Sequence, residues 1–137
     1  TLRAEFAQLA AYLEIMSLRL GRRLRYQLDL PEALQQATVP AMLLQPLVEN
    51  AIKHGIEPKI GGGAIAVTAR STNGSLELEV ADTGLGLPPD HDPDHSSDSY
   101  GLVHVRDRLR ALYGSHASLR LQANKPQGTL ATVRIPA

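Results

Sequence analysis

The sequence predicts an α+β fold, in which a mixed, mostly antiparallel sheet of about five strands is covered by about three helices in a two-layer sandwich. The chain has 137 residues and a mass of 14.8 kDa, enough for one domain with its own core. Three segments carry apolar residues at helical spacing, and five shorter segments have the pattern of strands. The strand-like segments occur in adjacent pairs and do not alternate strictly with helices, which argues against a doubly wound parallel sheet.

The first helix is predicted by a stripe of apolar residues spaced alternately four and three apart, ending before Gly21. The stripe consists of Leu2, Phe6, Leu9, Leu13, Met16 and Leu20. It fits either an amphipathic helix packed on its own domain or the tail of a bundle or coiled coil. Residues 24–30 then alternate between apolar and polar, as in a half-buried strand, and Pro31 opens a loop.

A second helix is predicted in the middle of the chain. Pro40 suits its first turn, because proline is tolerated where helix N–H groups have no partner, and Gly55 suits its end. Its buried face would consist of Leu43, Leu44, Leu47, Val48, Ala51 and Ile52.

The second half of the chain is predicted to hold four strands and a third helix. Asn73-Gly74 separates the first two of these strands and is typical of a hairpin turn. A long polar loop follows, and such loops inside compact domains are usually functional or mobile. The predicted ranges are 64–70 and 76–81 for the first two strands, 82–99 for the loop, 102–113 for the helix, and 117–123 and 129–135 for the last strands.

The composition excludes several classes of protein. Fourteen Lys and Arg residues balance fourteen Asp and Glu residues, so we expect no nucleic-acid partner, since such binding draws on a basic excess. Cysteine is absent, which excludes a disulfide framework and a thiol nucleophile. No apolar run approaches the roughly 18 residues of a membrane span, so we expect no direct membrane contact by this chain. The chain begins at Thr1 without an initiator methionine, and we expect a fragment of a longer protein.

Polar residues on the second helix suggest phosphate chemistry. Asn50, Lys53 and His54 have the spacing that places them on one helix face. An amide oxygen can bind Mg²⁺, and Lys and His can balance phosphate charge. An ordinary solvated helix face is the alternative.

A second candidate cluster follows the predicted strand 76–81. Asp82 stands at the strand end, where its carboxylate can accept a hydrogen bond from an amino group. Gly84 and Gly86 allow the backbone to turn sharply and approach a ligand. A simple turn is the alternative.

The start of the third helix is the last candidate. The free N–H groups at Gly101 and Leu102 would favour a phosphate. Arg106 lies further along the helix and either reaches a phosphate or is a surface charge.

Together these segments resemble the three signature boxes of the Bergerat-fold (GHKL) ATP-binding domain, which histidine kinases share with Hsp90-type chaperones, type II topoisomerases and mismatch-repair ATPases. Residues 44–55 resemble the N box, 82–87 the G1 box and 101–109 the G2 box, in the family's order. The residues of the N box and the Val-Arg-Asp-Arg-Leu continuation of the G2 box resemble the corresponding segments of LytS/YehU-like sensor histidine kinases. Residues 12–15 and Arg19 also resemble a segment of that branch.

The resemblance implies ATP and Mg²⁺ as ligands. Asn50 would bind Mg²⁺, Lys53 and His54 would contact phosphate or ribose, and Asp82 would bind the adenine amino group. Other matching positions would complete the ATP site, with residues 87–100 as a lid. These positions are Gly84, Gly86, Leu87, Gly101, Leu102 and Arg106, together with Thr129, which resembles the threonine that supports the adenine-binding Asp.

Three features of the boxes bear on catalysis. Glu49 is a candidate base for an acceptor histidine or for water. Pro46 stands where hydrolysing relatives carry a water-activating Glu, which suits a kinase better than an ATPase. Ser97 and Ser99 stand where the G2 box usually has glycines.

The implied function is that of the catalytic ATP-binding domain of a sensor histidine kinase, with residues 1–21 as the tail of a dimerisation and phosphoacceptor region and 22–137 as the catalytic domain. The implied partners are that upstream region, a response regulator and a second copy of the full-length protein. The setting would be the cytoplasmic side of a membrane-anchored bacterial protein. The branch's phosphoacceptor motif is absent, so we do not expect this chain to autophosphorylate alone. The alternatives are a serine kinase of the anti-sigma-factor type and a degenerate GHKL module that only binds partners.

Overall fold

A five-stranded sheet forms one layer of the molecule, and the helices pack on one of its faces. The computed structural model describes residues 1–86, 102–124 and 127–136. The helices of this part of the chain are α1 (Leu2–Leu20), α2 (Gln45–Asn50), which continues as a π-helical segment (Ala51–Ile56), and α3 (Val103–Tyr113). The strands are β1 (Leu24–Asp29), β2 (Gly63–Thr72), β3 (Ser75–Asp82), β4 (Ser118–Ala123) and β5 (Thr129–Pro136).

The sheet is mixed and mostly antiparallel, as predicted. The strand order is β1-β2-β3-β5-β4, with only β1 and β2 parallel among the described pairs. Asn73 and Gly74 both have positive φ angles, 49° and 79°, so the turn between β2 and β3 has the geometry that Asn-Gly favours. The predicted α+β sandwich is confirmed.

The apolar stripe of α1 is buried in the same core as the sheet. Leu2, Leu9 and Leu13 are fully buried and join the inward residues of the strands in one cluster. This corresponds to the first of the two interpretations, a helix packed on its own domain. The division of the chain at residue 21 stays a prediction. No helix of the described residues is both long enough and apolar enough to cross a membrane.

The predicted start of the second helix at Pro40 is wrong, because α2 begins at Gln45. Met42 has a φ angle of 61°, a left-handed conformation that interrupts a right-handed helix. The carboxylate of Glu5 accepts hydrogen bonds from the N–H groups of Met42 and Leu44, so these groups are satisfied outside a helix. Pro46 occupies the first turn in the role predicted for Pro40.

The second helix also continues past Gly55, its predicted end. Residues Ala51–Ile56 are π-helical, and the N–H of Glu57 donates to the carbonyl of Ile52, five residues earlier. The guanidinium of Arg23 closes this end by donating to the carbonyls of Glu57 at 2.6 Å and Lys59 at 3.1 Å. Short π-helical segments occur often at functional sites, and this one follows Asn50 directly.

Candidate functional site

A cavity lies where the end of β3 meets α2 and its π-helical continuation. It brings together five of the residues that the sequence predicts for the site, from three separate segments of the chain. Its lining consists of Asn50, Ala51, His54, Gly55, Asp82, Gly86, Leu121 and Thr129.

Asp82 is the buried charged group of this cavity. It is only 3% exposed, and its Oδ1 accepts hydrogen bonds from the N–H groups of Gly84 at 2.8 Å and Thr129 at 3.3 Å. Burial raises the pKa of this carboxyl group, while the two N–H donors and the charge of Lys59 act to lower it. Oδ2 receives no hydrogen bond from the described residues. It can therefore accept one from an amino group in the cavity.

Close glycine packing holds the Asp82 loop against the helix. A Cβ atom at Gly84 would overlap the backbone of Gly55, and one at Gly55 would lie 2.9 Å from Oδ1 of Asp82. The N–H of Leu85 donates to the carbonyl of Gly55 at 3.2 Å. Gly55 is therefore part of the site, although the sequence analysis assigned it only to the helix end. Its position within the N-box segment was the feature of the sequence that could have indicated a role in the site.

Two further residues that the sequence analysis missed fix the backbone around Asp82. Nζ of Lys59 donates to the carbonyl of Thr83 and to the Gln127 side chain, both at 2.9 Å. Nδ2 of Asn124 donates to the backbone carbonyl of Asp82 at 2.8 Å. These bonds join segments that are far apart in sequence, so no local pattern indicates them.

The residues of the second helix differ in their access to the cavity. Asn50 and His54 line it and are half-buried, whereas Lys53 and Glu49 are exposed and are not among its lining residues. The π-helical geometry after Asn50 departs from the spacing of an α-helix, on which the prediction of one shared face depended. Burial, and then the charge of Lys53, lower the pKa of His54, which makes its neutral form dominant near pH 7.

Glu49 is exposed, and its charge acts on Tyr12 of α1. Burial raises the pKa of the Tyr12 hydroxyl, and the negative charges of Glu49 and Glu57 raise it further. Arg19, on the same helix as Tyr12, forms an ion pair with Glu57 at 2.8 Å. The first helix therefore contributes polar groups beside the helix that carries Asn50.

The remaining predicted positions lie around the third helix or outside the described residues. Leu102 is buried just before α3 and its carbonyl accepts from the N–H groups of Val105 and Arg106. The guanidinium of Arg106 donates to the carbonyl of Leu119 at 2.8 Å and lines a different cavity. Leu87, Gly101 and the predicted lid, with Ser97 and Ser99, lie outside the described residues.

The sequence is similar to those of known proteins. Residues 36–137 match the family described as "Histidine kinase-, DNA gyrase B-, and HSP90-like ATPase". The sensor histidine kinase BtsS of Escherichia coli K12 is 35% identical over 136 residues, covering 99% of this chain and 24% of BtsS. The chain thus spans about a quarter of the length of BtsS and of a sensor-like histidine kinase of Staphylococcus epidermidis.

Solved structures show the same fold at low identity. The catalytic domain of histidine kinase ThkA matches with a TM-score of 0.69 and 13% identity, covering 96% of this chain and 94% of that domain. Full-length ShkA in complex with AMPPNP matches with a TM-score of 0.65 and 21% identity, covering 99% of this chain and 30% of that one. The resemblance predicted from the three boxes is confirmed. Because the family match covers most of its length, the chain belongs to the histidine kinase-, DNA gyrase B- and HSP90-like ATPases.

Proposed function

We propose that this chain binds ATP with Mg²⁺ and is the ATP-binding unit of a sensor histidine kinase, donating the γ-phosphate to a histidine outside these 137 residues. The observation that carries the proposal is the buried Asp82 carboxylate, which lines a cavity between the N-box and G1 segments and whose Oδ2 receives no hydrogen bond from the described residues. The AMPPNP complex of the structurally similar ShkA supports an adenine nucleotide as the ligand.

The nucleotide base belongs at Asp82 in this proposal. Oδ2 accepts a hydrogen bond from the adenine amino group, while Gly84 and Thr129 hold the carboxylate through Oδ1. Gly86 lets the chain pass close to the base, since its φ of 87° is left-handed. Leu87, which lies outside the described residues, is a further nucleotide contact in this proposal.

The phosphates belong on the side of the second helix. The Asn50 amide oxygen is a Mg²⁺ ligand, and Lys53 and His54 contact phosphate or ribose. The described residues hold no group of three or more His, Cys, Asp or Glu side chains that could form a metal cage. Mg²⁺ is usually held by one or two protein ligands together with substrate phosphates and water, so a single amide ligand suits it, and its charge would neutralise that of the phosphates.

Other residues complete the proposed reaction. In this proposal the backbone N–H groups of Gly101, which lies outside the described residues, and of Leu102 bind the phosphates. Arg106 contacts them as well, since its guanidinium has five donors and its bond to Leu119 uses one of its nitrogens. Glu49, exposed beside α1, is the base that takes the proton of the incoming histidine.

The wider setting follows the relatives' names. BtsS is named a sensor histidine kinase, so we propose an upstream dimerisation and phosphoacceptor region, a homodimeric full-length protein, a response regulator as partner, and a cytoplasmic position in a membrane-anchored protein. The chain alone does not autophosphorylate in this proposal.

Calorimetric titration with a non-hydrolysable ATP analogue tests the proposal. The unaltered chain should bind the analogue more tightly with Mg²⁺ than without it. Asp82→Asn should lose most of the affinity for the analogue but keep that for inorganic triphosphate, because Asp82 contacts only the base. No binding by the unaltered chain, or equal losses for both ligands, would contradict the assignment.

A further inference from the structure

Glu5 is a buried carboxylate that lies outside the nucleotide cavity. It stands in the first turn of α1 and is 4% exposed. Its Oε1 accepts the N–H of Leu44 at 2.8 Å, and its Oε2 accepts the N–H of Met42 at 3.1 Å. The ion pairs of the described residues include none with Glu5. Burying a charge costs free energy unless the group is hydrogen-bonded, and the two N–H groups offset that cost for the Glu5 carboxylate.

The segment that Glu5 binds leads directly into the second helix. Leu44 is the residue before α2, and Met42 holds a left-handed φ of 61°, which costs free energy in a residue other than glycine. Two backbone bonds reinforce the contact, because the N–H groups of Leu2 and Arg3 donate to the carbonyls of residues 37 and 35 at 2.8 and 2.9 Å. The first turn of α1 thus holds residues 35–44 at four points.

The two halves of the cavity are held in different ways. Asp82 is fixed by its pairing with β2 and by the N–H of Thr129. Its packing against Gly55 lies beyond Asn50, at the end of the second helix that Arg23 holds. Asn50 stands at the end of α2, whose start is fixed through Glu5. A change at Glu5 therefore acts first on the Asn50 side of the cavity.

We propose that Glu5 is a positioning residue for the phosphate side of the nucleotide site, which it serves by fixing residues 42–44 and thereby the placement of α2 and Asn50. The inference rests on the proposed function, and it makes α1 part of the nucleotide-binding unit. A displacement of α1 would then change the affinity for phosphate and Mg²⁺ more than the affinity for the base.

The test compares Glu5→Gln with Glu14→Gln, the same change at an exposed position of α1. Glutamine keeps the size of Glu5, but its NH₂ group would face one of the two N–H donors. We expect Glu5→Gln to bind the Mg²⁺-loaded ATP analogue at least about fivefold more weakly, the low end of couplings between sites. Its affinity for adenosine should not change, and Glu14→Gln should match the unaltered chain with both ligands. An unchanged affinity for the analogue, or equal losses for analogue and adenosine, would overturn the inference.

A reciprocal measurement on the unaltered chain decides the matter if Glu5→Gln does not fold. Coupling is mutual, so the Mg²⁺-loaded analogue should slow hydrogen exchange at the Met42 and Leu44 amides, whereas adenosine should not. If the analogue binds but the exchange rates of these amides do not change, the role of Glu5 is contradicted, while the proposed function is not. Failure of the unaltered chain to bind the analogue would remove the proposed function and this role with it.

Discussion

Asp82, the proposed adenine ligand, carries a cost to stability. Its carboxylate is buried, and burial raises its pKa above the ordinary value of 3.8. The folded chain therefore binds this proton more tightly than the unfolded chain does. Stability then falls as the pH rises from about the unfolded pKa through the raised one, and remains lower at neutral pH. Such a cost is expected of a residue whose proposed role is to bind a ligand.

Asp82→Asn should therefore stabilise the nucleotide-free chain near neutral pH. The asparagine oxygen can still accept the N–H groups of Gly84 and Thr129, while the buried charge is gone. Denaturant unfolding at neutral pH should show the variant to be the more stable protein. The difference should shrink below the ordinary carboxyl pKa of 3.8, where both proteins are uncharged at this position. A difference that does not depend on pH would exclude this electrostatic cause.

Gly84 tests the close packing of the loop against the helix. Gly84→Ala should destabilise the chain by about 1–3 kcal/mol or more, because the new Cβ would overlap the rigid backbone of Gly55. Gly61→Ala is the matched control, since a Cβ at Gly61 meets nothing within 4 Å. Urea unfolding of the two variants measures the contrast, and equal stabilities would show that the loop can move away from the helix.

At the scale of elements, the second helix is defined by its neighbours at both ends. Glu5 binds the backbone before its first residue, and Arg23 binds the carbonyls after its last turn. Between them the helix changes from α to π geometry after Asn50. The placement of Asn50 and His54 therefore depends on α1 and on the segment before β1.

Arg23→Ala should destabilise the chain by about 2 kcal/mol, because it leaves carbonyls at the end of the helix without their charged donor. Arg22→Ala, at the exposed neighbouring position, should change stability by less than about 0.5 kcal/mol. Chemical denaturation provides both values. Should the two variants prove equally stable, solvent would be replacing Arg23 at those carbonyls.

At the scale of the whole molecule, α1 belongs to the core that supports the site. Leu13→Ala should cost about 2–5 kcal/mol, the usual cost of a large cavity, because Leu13 is fully buried against the other core residues. Leu18→Ala removes a side chain that is 85% exposed and should cost less than about 0.5 kcal/mol. Thermal or urea unfolding distinguishes the two, and a mild effect of Leu13→Ala would mean that α1 can detach from the folded domain.

The sequence alone determined the fold class, the order of the elements and the family. Buried residues recur in the sequence at the period of the helix or strand that carries them, so the stripe of α1 and the strand alternation could be identified locally. The Asn73-Gly74 turn is a local signal as well. The three boxes indicated the family for a similar reason: each is a continuous segment that can be identified without the tertiary structure. The roles of individual residues in binding ATP remain predictions.

Tertiary structure alone decided where the second helix begins and what surrounds Asp82. The sequence predicted a start at Pro40, whereas the helix begins at Gln45. Glu5, which lies 39 residues before Leu44, binds the N–H groups of Met42 and Leu44 outside a helix. Lys59 donates to the carbonyl of Thr83 and Asn124 to the carbonyl of Asp82, over separations of 24 and 42 residues. Such contacts leave no local period or motif, because the partners meet only after the chain has folded.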